Sequence, residues 1–423
     1  MTDVRPFRAL RYDPERVALS RVIVPPYDVV QPEEREAFYD RDPHNAIRFE
    51  LVRDVADEAS ADYSHIADLL VDWHATGVLT RDEEPAFYVM RQRFQAPSGE
   101  WLERTGFFAA LGLASYAEKQ VLPHERTLAG PKADRLKLLR AARANLSSVF
   151  LLYEDRDREL DALLDAAIST SPVGAAADDA GVEYQLALLR GEPAQRIARF
   201  LAERSVVIAD GHHRYETALK YRDDQRAAGV DGGAGSEATL GFFANAYAEG
   251  SLLLAIHRVI RKVPAPTAAL WEERLPGWKQ TAVEMGDGAE IASLLDTHLA
   301  PFAGRPSFAA DDGSGTLRIF ARDEPLGDRL MVRMLEQEVI GSVFGLDEEA
   351  ITGGAVAFKK RPEHAAREVR TGEGTVALYL NPLDPDDVFR VTREGEVMPQ
   401  KSTFFYPKVP TGMVFRLHDE GGS

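Results

Sequence analysis

The sequence contains no cysteine. Disulfides, thiolate zinc sites, iron–sulfur clusters and thiol nucleophiles are therefore all excluded. Positive charge is also scarce, because 68 acidic residues outweigh 50 lysines and arginines and leave a net charge of −18. The basic residues are spread along the chain and mixed with acids, so we expect no nucleic-acid-binding surface.

Long apolar runs are missing as well. No uninterrupted run reaches the roughly 18 residues that a membrane span requires, so we expect no membrane partner. The first residues, Met1 to Phe7, do not resemble a secretion signal, which makes the cytoplasm the expected location. The 423 residues are 45% hydrophobic and 28% charged, as in a globular protein with room for two or three domains.

The most informative segment is Ala209 to Thr217, which reads A-D-G-H-H-R-Y-E-T. It follows Ser205 to Ile208, an apolar β-branched run that predicts the end of a buried strand. It leads into Tyr215 to Arg222, where the apolar spacing predicts a helix. The segment is therefore predicted to be a strand-to-helix turn.

The side chains on this turn suit an anion. Gly211 permits a tight turn, and the start of a helix offers unpaired N–H groups to a phosphate. Asp210, His212, His213 and Arg214 could then move protons or hold phosphates. Asp210 could instead be a helix cap, and the histidines ordinary polar residues. Adjacent histidines point different ways on an extended turn, so Mg²⁺ held by carboxylate and phosphates is favoured over zinc.

A second candidate cluster begins at Leu122 to Thr127, a loop that precedes a predicted basic helix at 133–145. Glu125 in this loop could be a general base or a Mg²⁺ ligand. Lys132 and Arg135 could contact phosphates of a bound cofactor. The alternative is a surface loop with weak salt bridges.

A third segment, Gly395 to Thr403, differs from a phosphate-binding P-loop by one residue, because Gln400 replaces the second glycine. The flanking prolines and aromatic residues oppose the helix that a P-loop requires, so we reject that fold. Lys401, with Ser402 and Thr403, could still contact a phosphate. A core strand with polar ends is the alternative.

Element patterns predict an α/β (α+β) protein with mixed sheets. We divide it into residues 1–115, 116–262 and 263–423. A hairpin is predicted from Ala86–Gln95 and Trp101–Leu113, and a strand at Val149–Tyr153. The strands predicted at Leu240–Tyr247 and Leu252–His257 are expected to pair with each other.

Several blocks resemble a bacterial family of uncharacterised proteins, and the chain is identified as a member of that family, DUF1015. The blocks run along the whole chain: Pro25–Val29, Pro123–Thr127, Ala209–Ala218, His257–Arg258 and Met398–Lys408.

The middle of the chain, about residues 116 to 230, is similar to the ParB/sulfiredoxin superfamily, which binds nucleotides at a comparable turn. His212 stands where sulfiredoxin has its catalytic cysteine, so sulfiredoxin chemistry is excluded. This resemblance implies a central nucleotide-binding unit with flanking N- and C-terminal segments.

Within that superfamily, the Pro-His-Glu loop and the Asp-Gly-His-His-Arg turn resemble the free serine kinases, which phosphorylate L-serine from ADP or ATP. The resemblance implies that Glu125 accepts the hydroxyl proton and that Asp210 holds Mg²⁺ or orients the nucleophile. It assigns phosphate binding to His212, His213 and Arg214.

The sequence therefore predicts a nucleotide-dependent phosphotransferase acting on a small hydroxylated metabolite such as serine, with ATP or ADP and Mg²⁺ as cofactors. Its partners are a small-molecule substrate and a nucleotide, and a homodimer is left open. Two alternatives remain: a nucleotide-binding regulatory protein without catalysis, and a phosphatase acting on the phosphorylated metabolite.

Overall fold

A computed structural model of the chain describes residues 1–53, 61–125, 129–229, 235–286, 290–399 and 401–418. Contacts divide the chain into two compact units, Met1–Leu252 with Pro407–Ser423, and Leu253–Tyr406. None of the helices in the described ranges is both long and apolar enough to cross a membrane.

The helices of the described ranges are short to medium in length. In chain order they are α1 (Leu19–Val22), α2 (Pro32–Arg41), α3 (Ile47–Glu50), α4 (Ile66–Ala75), α5 (Ala129–Ala142), α6 (Asp161–Thr170), α7 (Gly191–Ala202), α8 (His212–Ala227), α9 (Ala268–Arg274), α10 (Ile291–His298), α11 (Met331–Met334), α12 (Ser342–Phe344), α13 (Glu348–Ala350), α14 (Pro362–Thr371) and α15 (Pro385–Arg393).

The strands alternate with these helices. They are β1 (Val4–Arg5), β2 (Leu10–Tyr12), β3 (Leu79–Arg81), β4 (Phe87–Gln95), β5 (Trp101–Gly112), β6 (Val121–Pro123), β7 (Ala144–Asn145), β8 (Val149–Tyr153), β9 (Pro172–Ala177), β10 (Glu183–Leu189), β11 (Val206–Asp210), β12 (Ala238–Asn245), β13 (Leu252–Ala255), β14 (His257–Ile260), β15 (Lys279–Glu284), β16 (Ser307–Asp311), β17 (Thr316–Ala321), β18 (Val356–Lys359), β19 (Val376–Tyr379), β20 (Thr403–Tyr406) and β21 (Arg416–Leu417).

The first unit is built on a mixed sheet in the order β6-β11-β8-β12-β5-β4-β10-β9, with β1 added beside β5. β11 is parallel to β6 and antiparallel to β8. One face of this sheet packs against α6 and α7. The apolar spacing of α7 explains its orientation, because Ala194, Ile197 and Leu201 share one side and are buried in the core.

Aromatic side chains fill both faces at the centre of this sheet. Phe107 on β5 stacks on Phe243 of β12 with 5.2 Å between ring centroids. On the opposite face, Phe108 lies 4.9 Å from Phe242. Gly106 makes room for this layer, since a Cβ atom there would lie 2.4 Å from the Phe243 carbonyl oxygen.

The second unit contains a six-stranded sheet in the order β15-β17-β16-β19-β14-β18, counted over the described residues, and the two-stranded pair β13-β20. Its core includes Leu295 and Leu299 from the α10 side and Ala365 and Val369 from α14. Two π-helical segments, Leu335–Gly341 and Ile351–Ala355, interrupt its helical region.

The mixed α/β class predicted from the sequence is confirmed. The predicted hairpin is β4 with β5, and the strand predicted at Val149–Tyr153 is β8. The expected pairing of Leu240–Tyr247 with Leu252–His257 is wrong. Both sides of β12 are occupied by β5 and β8, so β13 pairs with β20 instead.

We expect Gly106→Ala to lower the free energy of unfolding by about 1–3 kcal/mol, because the added methyl group overpacks the aromatic layer. Chemical denaturation would measure the change. Gly286→Ala is the control, since a Cβ atom there has no neighbour within 4 Å. Equal losses in the two variants would contradict the assigned packing.

Candidate functional site

The strand-to-helix turn after β11 is sharper than the sequence predicts. The pairing of β11 with β8 shifts register between Ile208 and Asp210. Gly211 then adopts a left-handed conformation with φ 87°, and α8 begins at His212, three residues before the predicted start at Tyr215. Glycine adopts this left-handed conformation at little steric cost because it has no Cβ atom. Both histidines therefore lie in the first turn of the helix.

Asp210 is held by two cations at the end of β11. Its Oδ1 atom accepts a hydrogen bond from Lys408 Nζ at 2.5 Å, and its Oδ2 atom lies 3.8 Å from Arg214 Nη1. Burial alone would raise the pKa of the Asp210 carboxyl, but Lys408 and Arg214 hold that pKa well below its usual value. Asp210 is therefore ionised and fixes both cations beside the turn.

Arg214 also contacts two segments far away in the sequence. Its Nη1 atom donates to the carbonyl of Ser148 at 2.8 Å, and its Nη2 atom lies 3.4 Å from the Asp28 carboxylate. Its guanidinium carbon lies 5.5 Å from the centre of the Tyr27 ring. The side chain is only 11% exposed, so these contacts fix the direction of its charge.

The loop that carries Glu125 packs against the start of α8. The backbone N–H of His124 donates to His212 Nε2 at 3.3 Å, and the two imidazole rings meet edge to face at 4.6 Å. His124 Nδ1 donates to the carbonyl of Ile208 on β11. Glu125 Oε1 lies 3.6 Å from His124 Nε2. The structure thus brings Glu125 and the Gly211 turn together.

His212 is a neutral imidazole in this arrangement. Burial, together with the neighbouring His124, lowers the pKa of His212 to about 3. Because its Nε2 atom accepts a hydrogen bond, its proton lies on Nδ1. His212 can therefore support the Glu125 loop and donate one hydrogen bond, but it does not add positive charge. His213, the next residue of α8, is partly exposed.

Arg135 and Lys132 are engaged by acidic partners. Arg135 is buried and donates to Glu50 at 3.0 Å and to Asp134 at 2.9 Å. Lys132 donates to Glu216 on α8 at 2.9 Å. Both side chains link α5 to its surroundings, Lys132 to α8 and Arg135 to Glu50. Their contact with cofactor phosphates stays a prediction.

The C-terminal block is divided between the two units. Lys401, Ser402 and Thr403 lie in the second unit, and Gln400 lies outside the described residues. Ser402 donates to the carbonyl of Pro399 at 2.6 Å, and Thr403 begins β20. Lys408, at the other end of this block, is the lysine that reaches Asp210 in the first unit.

Sequence reasoning missed Lys408, Tyr27 and Asp28 as site residues. Each belongs to a block on which the family resemblance was based. The signal available in the sequence was that these blocks support the same family resemblance as the block that contains the turn. Arg126 and Thr127 of the Glu125 block lie outside the described residues.

The described residues around the turn do not form a Mg²⁺ site from protein ligands alone. In the described ranges, no three histidine or acidic side chains are grouped as metal ligands. Asp210, the predicted ligand, is already paired with Lys408 and Arg214. A Mg²⁺ ion bound by Asp210 and substrate phosphates would share this carboxylate with Lys408, and that site stays a prediction.

A small cavity of about 50 Å³, lined by both apolar and polar side chains, lies beside Arg214. Glu50, Arg135, Ser147 and Thr217 are among its lining residues. Ligand pockets usually measure roughly 300–1,000 Å³, so this cavity is too small for a nucleotide.

Protonation of His212 should make stability depend on pH. The pKa of His212 is 6.5 in the unfolded chain and about 3 in the folded protein. Between these values only the unfolded chain is protonated at this residue, so the free energy of unfolding falls as the pH falls below 6.5. Between pH 7 and pH 5, His212 alone lowers the free energy of unfolding by about 2 kcal/mol. We expect His212→Gln, whose amide oxygen can replace Nε2 as acceptor, to lose that much less than the wild type.

Denaturant titrations at the two pH values would measure this difference. The exposed His65 provides the matched control, and His65→Gln should keep the wild-type pH dependence. A stability difference between His212→Gln and the wild type that is the same at both pH values would contradict the assignment of a neutral His212.

Comparison with solved structures gives distant similarities. A conserved hypothetical protein from Pyrococcus furiosus is 13% identical, with a TM-score of 0.34 over 74% of this chain and 96% of that chain. A free serine kinase in complex with AMP is 11% identical, with a TM-score of 0.32 over 73% and 92%. C-terminally truncated SbnI from Staphylococcus aureus is 12% identical, with a TM-score of 0.37 over 75% and 90%. No curated protein matches the chain.

One family model matches about two thirds of the chain. The matched region, residues 4–286, includes the turn at Gly211, the Glu125 loop and the Tyr27 segment. The chain belongs to the family described as protein of unknown function DUF1015.

Proposed function

We propose that this protein is a nucleotide-dependent phosphotransferase that acts on a small hydroxylated metabolite. One observation carries the proposal: the Glu125 loop packs on the first turn of α8, where Arg214 and Lys408 converge on Asp210. A carboxylate and two cations are thereby gathered around one helix start. Phosphoryl transfer requires a base near the nucleophile and positive charge near the transferred group.

The start of α8 supplies donors for phosphate oxygens. Gly211, the residue before the helix, has no side chain with which to cap the first-turn N–H groups. These N–H groups and the positive end of the helix dipole favour an anion. Arg214 and Lys408 place two cations beside this turn, both of them paired with carboxylates. Since His212 is neutral, we assign charge neutralisation to these two residues.

Glu125 is the proposed general base. Its carboxylate is 21% exposed and lies on the side of His124 that faces away from Ile208. In the proposed step the carboxylate accepts the hydroxyl proton of the acceptor. The hydroxyl oxygen bonds to the terminal phosphorus, and the bond from that phosphorus to its bridging oxygen breaks. The electron pair leaves with the nucleotide, stabilised by Arg214 and Lys408.

The nucleotide would lie outside the small cavity beside Arg214, over the more open side of the turn. The partial exposure of Asp28 and His213 there supports this placement. ATP or ADP is the proposed donor. L-serine is the acceptor that the Pro-His-Glu and Asp-Gly-His-His-Arg motifs imply.

Glu125→Gln should abolish most turnover and leave nucleotide binding intact, because the amide keeps the shape but cannot accept the proton. We expect kcat to fall about a hundredfold to ten-thousandfold, the usual range for a general base. ³¹P NMR of phosphoserine formation from ADP or ATP would measure it, and calorimetry would measure nucleotide affinity.

The exposed Glu83 provides the control, and Glu83→Gln should retain wild-type turnover. Wild-type turnover in Glu125→Gln would refute the assigned base. Nucleotide binding without any phosphorylated product in the wild type would favour the regulatory alternative. Release of phosphate from phosphoserine without nucleotide would favour the phosphatase.

Lys408→Met should weaken nucleotide binding, because it removes one of the two cations while keeping the apolar stem. A hydrogen bond to a charged group contributes about 1.5–3 kcal/mol, so we expect a loss of roughly tenfold to 150-fold in affinity. Calorimetry with ADP would test this. Lys137→Met, an exposed change on α5, should bind as the wild type does, and equal affinities in the two variants would exclude Lys408 from the site.

A further inference from the structure

Lys408 comes to Asp210 from a segment 198 residues away in the sequence. A flexible lysine side chain does not hold its ammonium group in one place by itself, so the position of the backbone decides whether the group lies within reach of Asp210. The segment after β20 is anchored downstream by backbone pairing of Thr411 with Val24 and of Phe415 with Leu10. Its upstream anchor consists of two buried polar side chains.

These two side chains are Gln92 on β4 and Arg104 on β5. They face each other directly across the antiparallel pair, and both are completely buried. Arg104 donates to the Gln92 amide oxygen from Nε at 3.1 Å and from Nη2 at 2.5 Å. Its guanidinium carbon lies 4.6 Å from the centre of the Phe150 ring, so the group is fixed against the aromatic layer.

The same two side chains hold the backbone that leads to Lys408. Arg104 Nη2 donates to the carbonyl of Pro407 at 2.5 Å, and Gln92 Nε2 donates to the carbonyl of Lys408 at 3.0 Å. Because Arg104 takes the amide oxygen of Gln92, the amide nitrogen is left to point at Lys408. A buried hydrogen-bond network of this kind selects one conformation.

We propose that the buried Gln92–Arg104 pair is a positioning device for Lys408, holding the backbone at residues 407 and 408 so that the ammonium group reaches Asp210. The consequence for ligand binding rests on the proposed function, whereas the placement of Lys408 does not. Burying a guanidinium group in an aromatic layer costs free energy. A positioning role therefore explains the buried Arg104 better than a contribution to stability does.

Gln92→Glu is the sharpest test. The carboxylate keeps an oxygen acceptor for Arg104 but has no N–H to donate to the Lys408 carbonyl. Acylation of lysines by acetic anhydride, followed by mass spectrometry, would report the release of Lys408 from Asp210. We expect Lys408 to react several-fold faster in Gln92→Glu than in the wild type, with the other lysines unchanged.

Gln95→Glu is the matched control. Gln95 lies on the same strand and also donates its amide to a backbone carbonyl, that of Gly99, but in the exposed hairpin turn. In Gln95→Glu, Lys408 should react with acetic anhydride at the wild-type rate. Unchanged reactivity in folded Gln92→Glu would overturn the proposal. Arg104→Lys, which keeps the charge but lacks the rigid planar fork of donors, provides a second variant should Gln92→Glu fail to fold.

A double-mutant cycle with Lys408→Met connects the device to the ligand. If Gln92 acts through Lys408, Gln92→Glu should weaken ADP binding in the wild-type background and have no further effect in Lys408→Met. Additive losses would overturn the proposal. If the wild type does not bind ADP, the proposed function is wrong. The acylation experiment would still test whether Gln92 and Arg104 position Lys408.

Discussion

The candidate site depends on the carboxylate of Asp210 and the two cations that it holds. Lys408 and Arg214 approach this largely buried group from different segments, and Arg214 extends the network to Asp28. A buried ion pair adds little net stability compared with apolar packing, but the loss of one partner leaves an uncompensated charge. The network therefore determines geometry more than stability. It fixes where positive charge stands relative to the first turn of α8.

Local patterns in the sequence were sufficient to predict the strand, the turn and the helix around Gly211. They were also sufficient for the β4–β5 hairpin, because strand alternation and a polar turn are local signals. Apolar spacing predicts the start of α8 at Tyr215, because the periodic pattern begins there. Gly211 alone makes the turn, so the helix includes both histidines. A single left-handed residue leaves no periodic signal in the sequence.

Pairings between distant segments could not be derived from the sequence. Lys401 and Lys408 are the same residue type in the same block, and only the fold places Lys408 at Asp210. The pairing of β13 with β20 is missed for the same reason, since hydrophobic alternation does not specify a partner strand. Charge states are a further limit. Sequence reasoning treated the histidines as phosphate-binding groups, whereas burial makes His212 neutral.

The neutrality of His212 changes how an anion could bind. Near the turn, the charges of Arg214 and Lys408 are balanced by Asp210 and Asp28, so a phosphate must compete with these carboxylates for the same cations. Asp210 is nearly buried and cannot move away, whereas Asp28 is 45% exposed and can be displaced into solvent at little cost. The remaining attraction comes from the first-turn N–H groups of α8, which Gly211 has no side chain to cap. A phosphate at this turn would therefore draw Arg214 from Asp28 while Asp210 keeps the guanidinium in place.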